Sequence, residues 1–491
     1  MSQKLPEPTI KNDFMSGMIS DVAIGIVPAN SVALAVNLDF DEILGSAKRR
    51  KGVVQVGSQL VDGKNILGLH QHVDPSNSAN NLLFAVVNAA DDATATIKNV
   101  VTGADVVTGL TQGAKVRFLS YGGTTLAING VDAPRAWNGT AWITTEGLFD
   151  LGDWPAAESS LVTEFLDRIY TNDETVPYRI NYSTLFDGTA VTWDGDYVDI
   201  EPEDGGGKIT AFGKVPGYVL FFKERSLTRW NFSSAFPEAL VNVGTPSQES
   251  VVESGGLVFF YSNSSDDSRG FYVTNGGRPQ CISKDTTRTI RRFIDAIPTA
   301  NEADIAASST DRVIQWSVGD ITVDGQLYTN VVFRYNRVLN QWSLRSYPSR
   351  FMVYADFTVS GVNARIGGDN DGNVYQIDVS GIHTDAGVPI KYRMVTQGDT
   401  FGTNRLKSIS DTIYVRGEKL NDLNINIIPD NNFAARVRAG ASSLVRKLLS
   451  MLKIGSKVEG TTLAVELYGT GDVTISEIEF PAVFISQNYD K

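Results

Sequence analysis

The stretch Lys208–Phe232, KITAFGKVPGYVLFFKERSLTRWNF, decides how the fold is read. Ile209–Phe212 is one apolar pulse. Gly213–Gly217 follows with turn chemistry, glycine for a positive φ and proline for a fixed one. Tyr218–Phe222 is an unbroken β-favouring run, and Lys223, Glu224 and Arg225 make a charged corner. Leu227–Phe232 then alternates around Trp230. Strand, tight turn, strand, tight turn, strand is an antiparallel meander.

Working outward, variants of this unit recur. Pulses fall at Leu82–Asn88, Thr125–Ile128, Phe165–Thr171, Tyr218–Phe222, Leu257–Ser262, Arg312–Val318 and Ala364–Gly368. Their centres lie roughly 40 to 55 residues apart, a beat that suggests propeller blades. Most lead into a second strand past a turn. Trp137 and Trp142 flank Asn138-Gly139, and further turns fall at Asn275-Gly276-Gly277, Asn336–Asn340 and Asp371-Gly372, all suited to hairpins. The expectation is an all-β chain carrying a β-propeller of about six to eight degenerate blades over residues 53–384. A plain series of β-sandwiches, turning every 8 to 12 residues without the longer beat, is the alternative.

Outside that region the character changes. Residues 1–52 read as an extended polar arm and a strand, SVALAVNLDF at Ser31–Phe40, able to join the C-terminal part. From residue 385 to 491 the stretches VPIKYRMVTQGDTFG, SISDTIYVRG, DLNINIIPD, TTLAVELYG and TISEIEFPAVFIS read as longer strands of a separate β-sandwich. One amphipathic helix is expected near 433–453. Phe433, Val437, Ala441, Leu444, Leu448 and Leu452 recur at three- and four-residue steps. Arg436, Arg438, Arg446, Lys447 and Lys453 lie largely off that stripe, and Gly455 suits its C-cap. Packing against the sandwich is the role expected for it.

Composition narrows the class. The 491 residues are 42 % hydrophobic and 20 % charged, which is globular rather than disordered. Seven Trp, 17 Tyr and 23 Phe favour half-buried pleated surfaces. The single cysteine, Cys281, excludes an intrachain disulfide framework. The opening MSQKLPEPTI has no apolar core of a signal peptide, and no run reaches the roughly 20 apolar residues that span a bilayer. A soluble chain made in a cytoplasm, without membrane insertion, is expected. The net charge of −13 opposes tight DNA binding but not DNA passing nearby.

No candidate constellation reads as an active site. His70 and His72 flank Gln71 and share a strand face, but a metal needs three or four ligands and His383 is remote. Cys281 has no local base to activate it and reads as a small buried apolar residue. Asp369, Asp371, Asn373 and Asp378 resemble the start of a calcium loop without its glycine and closing Glu, so a plain Asp-Gly hairpin is the reading taken. Gly205-Gly206-Gly207-Lys208 lacks the earlier glycine of a phosphate loop, and Ile209 stands where Ser or Thr would hold magnesium. Ser264, Asp266 and Gly270 match an Asp-box of glycosidase propellers only in part. Asp194, Asp196, Asp199, Glu201, Glu203 and Asp204 crowd one short segment. Paired carboxylates can cleave glycosides, a solvated loop is the commoner fate, and acids lining a pore would keep a duplex sliding. The basic run Lys48–Lys51 before Gly52 reads as a solvated loop, with a contact to a neighbouring subunit as the alternative. No catalytic residue, cofactor or metal is expected.

The segment SVALAVNLDFDEILGSAKRRKG resembles the opening of tail nozzle, stabilisation or hub proteins of short-tailed bacteriophages. The residues that carry the resemblance are Asn37, Asp39, Asp41, Gly45, Arg49, Arg50 and Gly52. The unit Lys208–Phe232 resembles the propeller hairpin of that family, and the last strands resemble its β-rich platform. The resemblance implies a virion structural protein, not an enzyme. It implies a homo-oligomeric ring, hexameric in expectation, below the portal and adaptor, bound to the adaptor and other tail proteins, through which DNA exits. The chain has no long insertion that could build an extended tip. A glycan-binding or glycan-cleaving propeller and a receptor-binding tail protein are the competing readings.

Overall fold

The computed structural model describes residues 9–485 except 21–26, 29, 156–157, 201–206, 233–235, 265–268, 285–288, 360–361, 402–405, 410–411, 431–434, 447–448, 455–457 and 481–483. The protein is mostly β, 51 % strand against 5 % helix, with many four-stranded antiparallel sheets.

The Lys208–Phe232 stretch forms three strands, Ile209–Val215, Tyr218–Lys223 and Leu227–Trp230, and Glu238–Val241 adds a fourth. The expected turn at Gly213–Gly217 shrinks to Pro216-Gly217, because the first strand continues to Val215. Each of the seven pulses supplies the second strand of a comparable set. Sheet I begins with Ile66–His72 and Leu82–Asn88, sheet II with Arg117–Tyr121 and Thr124–Ile128, and sheet III with Val162–Phe165 and Arg168–Asn172. Sheet IV is the set just described. Sheet V begins with Val252–Ser254 and Leu257–Ser262, sheet VI with Ala306–Ser309 and Val313–Val323, and sheet VII with Phe351–Val359 and Val362–Asp369.

Second strands such as Leu82–Asn88, Tyr218–Lys223 and Leu257–Ser262 read as near-continuous apolar runs because both of their faces are covered. In sheet IV, Val219 and Phe221 pack with Tyr170 and Ile180 of sheet III. Leu220 and Phe222 turn the other way, onto Val258, Phe260 and Tyr272 of sheet V. Strands buried on both faces lose the polar alternation of a half-exposed sheet. Each fully buried side chain of this size contributes about 1.5–3 kcal/mol.

First strands of consecutive sheets are neighbours, from Ile66–His72 round to Phe351–Val359, and the last of these lies against the first. Gln71 locks that junction: its Nε2 donates to the Thr358 carbonyl at 3.1 Å and its Oε1 accepts from the Thr358 N–H at 2.6 Å. Sheet VII takes its fourth strand from the other end of the chain. Gly52–Gln55 pairs antiparallel with Val374–Val379, its third.

The outer strand of sheet VI, Gln341–Ser346, pairs with Ser31–Val36. Ser31–Val36 in turn pairs antiparallel with Tyr392–Thr396. From there the sheet runs on through Leu463–Gly469, Asn424–Pro429, Val437–Arg446, Leu449–Ile454, Thr412–Glu418 and Thr474–Phe480 to Ala47–Arg49. Thr9–Asn12 adds to Thr474–Phe480. The main core is shared accordingly: Phe271, Trp316 and Trp342 stack within it beside Val32, Met394, Ile425 and Leu467.

The helix expected near 433–453 is not found among the described residues, which are mainly strand instead. Val437–Arg446 and Leu449–Ile454 form a β-hairpin, with Ala441 opposite Leu452 and Arg446 opposite Leu449. Its two strands are claimed from outside by Asn424–Pro429 and Thr412–Glu418. Those neighbours satisfy backbone groups that a helix would have satisfied internally. Phe433, Lys447, Leu448 and Gly455, which the helix reading used, lie outside the described residues.

Candidate functional site

The segment Asn37–Gly52 is where three parts of the molecule meet. Asn37 ends the strand Ser31–Val36 at φ 58°, a left-handed conformation that Asn tolerates better than most residues. Its Nδ2 donates to the Lys391 carbonyl at 2.7 Å. Its Oδ1 accepts from Arg50 Nε at 2.8 Å and from the Ser346 N–H at 2.9 Å.

Arg50 is 1 % exposed and spends all five of its N–H donors. Besides Asn37 it reaches the Lys51 carbonyl at 2.9 Å and the Ser346 carbonyl at 2.8 Å. It also grips both oxygens of Asp385, at 2.8 and 2.6 Å. Its guanidinium lies 4.1 Å from the centre of the Tyr347 ring. Nearby, Arg345 bridges Asp39 at 2.7 Å and Asp378 at 2.6 Å. Arg365 holds the other Asp378 oxygen at 2.7 Å. Arg334 takes Asp41 at 2.8 Å and lies 3.3 Å from Asp39. Four guanidinium groups thus face four carboxylates. Burial pushes Asp378 up, but Arg345 and Arg365 outweigh it and hold its carboxyl well below the usual range. Arg345 is raised: burial opposes its charge, and Asp378 and Asp39 more than compensate.

The solvated loop expected at Lys48–Lys51 is therefore corrected in part. Arg49 and Arg50 are buried, Arg49 donating to the Thr470 carbonyl at 3.0 Å. Lys48 and Lys51 stay at the edge on Glu42, at 2.6 and 2.9 Å. Gly52 is required by close approach, since a Cβ there would stand 2.0 Å from the Thr384 carbonyl oxygen. All seven residues carrying the family resemblance lie in this clasp or its flanking turn. Arg334, Arg345, Arg365 and Asp385 complete it and went unread. Their signal was an arginine at an inward position among apolar strand residues, Phe333-Arg334-Tyr335 and Leu344-Arg345.

A second feature is a cavity of about 570 Å³ where the first strands of the sheets converge, lined in part by His70, Arg117, Phe118, Glu249, Tyr354 and Asp356. Burial alone would raise Glu249, but the Arg117 and Lys115 charges leave it lowered, with Arg117 Nη2 at 2.8 Å. Burial keeps Asp356 raised despite Arg365.

The remaining sequence candidates do not converge. His70 stacks on Phe118 with centroids 5.3 Å apart and meets Ser120 Oγ at 2.7 Å. His72 meets Thr125 Oγ1 at 2.9 Å, and Ser120 and Thr125 are 2.8 Å apart. Among the described residues no three His, Cys, Asp or Glu side chains gather to hold a metal. His383 lies 3.7 Å from Asp472 instead. Asp369 folds a hairpin turn, its Oδ1 accepting from the N–H groups of Asp371 and Asn373 at 2.9 and 2.7 Å. Asp371 accepts from the Gly63 N–H at 3.0 Å, away from Asp378. Cys281 is half-buried rather than buried, because its strand is the outer edge of sheet V. Ser264 binds the Glu224 carbonyl at 3.0 Å, and Asp266 lies outside the described residues. Asp199 is paired with Arg179 at 2.9 Å, while Asp194 and Asp196 are exposed. Glu201, Glu203, Asp204, Gly205 and Gly206 lie outside the described residues.

Comparison with protein-family models and with curated protein sequences finds no match for this chain.

Proposed function

We propose that the chain is a structural virion protein of the tail of a short-tailed bacteriophage, forming a ring-shaped nozzle or hub below the portal and adaptor. In this reading sheets I to VII are seven blades of a β-propeller, and Gly52–Gln55 closes the last one. Residues 385–491 form a platform-like β-sandwich domain, joined by the arm 1–52. The partners are copies of the chain in a hexameric ring, the adaptor and other tail proteins, with DNA in transient passage and no catalysis.

The observation that carries the reading is the clasp. The residues of the family resemblance form or flank a largely buried joint that ties the arm to sheets VI and VII and to the C-terminal strands. Breaking a buried ion pair of this kind costs about 3–5 kcal/mol, so the joint resists separation of the parts it ties, as a scaffold requires. A cavity near 570 Å³ has the volume of a small-molecule pocket, not of a duplex channel. DNA would therefore pass along the axis of the ring of subunits. Electron-microscopy averages of the purified chain, alone and with a portal–adaptor complex, test this. Six-fold rings are expected, and a monomer under both conditions overturns the reading.

The glycan reading has one observation in its favour, carboxylates and aromatics around the same cavity. Against it, the charge of Glu249 is consumed by Arg117 and Lys115. Retention on a glycan array, abolished by Asp356→Asn, would favour it over the scaffold.

A further inference from the structure

The exposed face of the C-terminal sheet carries a cleft of about 990 Å³. Its floor is polar because residues two apart on four adjacent strands point to the same side. Arg393 stands opposite Tyr468, Tyr468 opposite Asn424, and Asn426 between Glu466 and Arg438. The other face of these strands, Met394, Ile425, Ile427, Val465 and Leu467, is core. Glu466 is buried at the centre, and Arg393 Nε covers it at 2.6 Å. Lys391, Arg436 and Arg438 remain exposed at the rim. Lys391, Arg393, Arg436 and Arg438 against Asp422 and Glu466 make the cleft cationic in a chain of net charge −13.

The complement lies elsewhere on the same chain. From Ile180 to Ile200 the sequence holds four acids, Asp187, Asp194, Asp196 and Asp199, and no Lys or Arg, with Asp199 alone ion-paired among the described residues, to Arg179. This stretch includes the outermost strand of sheet III, Tyr197–Asp199, whose other edge is unpaired among the described strands. Asp187, Asp194 and Asp196 are exposed beside it.

We propose that this cleft receives the acidic edge of sheet III from a second copy of the chain. The inference rests on the ring reading above and deepens it by naming the contact. Two different patches that complement each other make a head-to-tail interface, the kind that closes into a ring when the rotation allows. Juxtaposed like charges at such an interface are strongly penalised, and opposite charges fix register. A duplex is the competing occupant of a cationic cleft.

The test is a charge swap read by analytical ultracentrifugation and electron microscopy, with the adaptor present. Arg436→Glu with Arg438→Glu should weaken self-association about ten-fold or more. Asp194→Lys with Asp196→Lys should do the same, and the four changes together should restore much of it. These positions are exposed, and circular dichroism checks that each variant is folded. Rings unchanged by either reversal, or a combined variant as weak as the two losses added, overturn this inference and leave the ring reading standing. Duplex DNA bound by the wild type and lost in the arginine variant, with rings intact, assigns the cleft to DNA and overturns it too. A wild type that stays monomeric overturns both.

Discussion

At the scale of single residues, Arg50 concentrates the joint's energetics. It is fully buried with every donor used, so its removal leaves Asp385 and Asn37 buried without their partner. Arg50→Ala is expected to cost about 3–5 kcal/mol in urea unfolding. Arg50→Lys should recover only part, since an ammonium cannot repeat the fork onto Asp385; equal stability of the lysine variant would contradict this account. Asp378 gives the pH dependence its sign. Its carboxyl is held low by Arg345 and Arg365, so its contribution is complete above the unfolded carboxylate value near 3.9 and is lost as pH falls below it. Asp378→Asn keeps a residue that tolerates the left-handed backbone at φ 60°. It should lower stability at neutral pH and flatten the curve of unfolding midpoint between about pH 4 and pH 2. An unchanged acid limb would count against the ion cluster.

At the scale of elements, sheets I and II are fastened by the hydrogen-bonded series His70, Ser120, Thr125 and His72. Burial, then the neighbouring His72, lowers His70 to about 4 from an ordinary 6.5. The fold therefore holds this imidazole neutral, while the unfolded chain takes up a proton near 6.5. Stability from this source is full above 6.5 and falls as pH drops toward 4. An NMR titration should show His70 protonating near 4, and a midpoint near 6.5 would refute the burial. Replacing His70 with Gln should remove that share of the acid slope. The repeat of sheets was legible because second strands such as Leu82–Asn88, Tyr218–Lys223 and Leu257–Ser262 are covered on both faces, which writes a near-continuous apolar run into the sequence. The hairpin Val437–Ile454 was misread because Val437, Ala441, Leu444 and Leu452 fall at helical steps. Gly440, Ser442 and Ser443, poor helix formers, gave the better signal. No Gly, Asn or Pro stands in the sequence between Arg446 and Leu449 to signal a chain reversal. The clasp was half legible. Asn37, Asp39, Asp41, Arg49, Arg50 and Gly52 are close in sequence, whereas Arg334, Arg345, Arg365 and Asp385 join them only through sheet pairing.

At the scale of the whole molecule, hydrogen bonding runs without a break from sheet VI through Ser31–Val36 into the C-terminal strands. A chain ended after residue 384 leaves Ser31–Val36 with no Tyr392–Thr396 beside it and leaves Arg50 without Asp385. Such a fragment is expected to aggregate as an exposed strand edge, and co-expression with 385–491 should recover a soluble complex on size exclusion. A monodisperse 1–384 fragment as stable as the full chain would show the joint to be dispensable.

The strand that completes sheet VII carries a further consequence. Gln55 donates to Asn373 at 3.0 Å, a partner 318 positions further along the chain. At 5–20 residues per second, a ribosome needs roughly 15–60 s to deliver the second half of that pair after the first has emerged. Throughout that interval the newborn amino end waits with its edge unsealed, so yield in a host should depend on how fast the message is read and on which chaperones attend it.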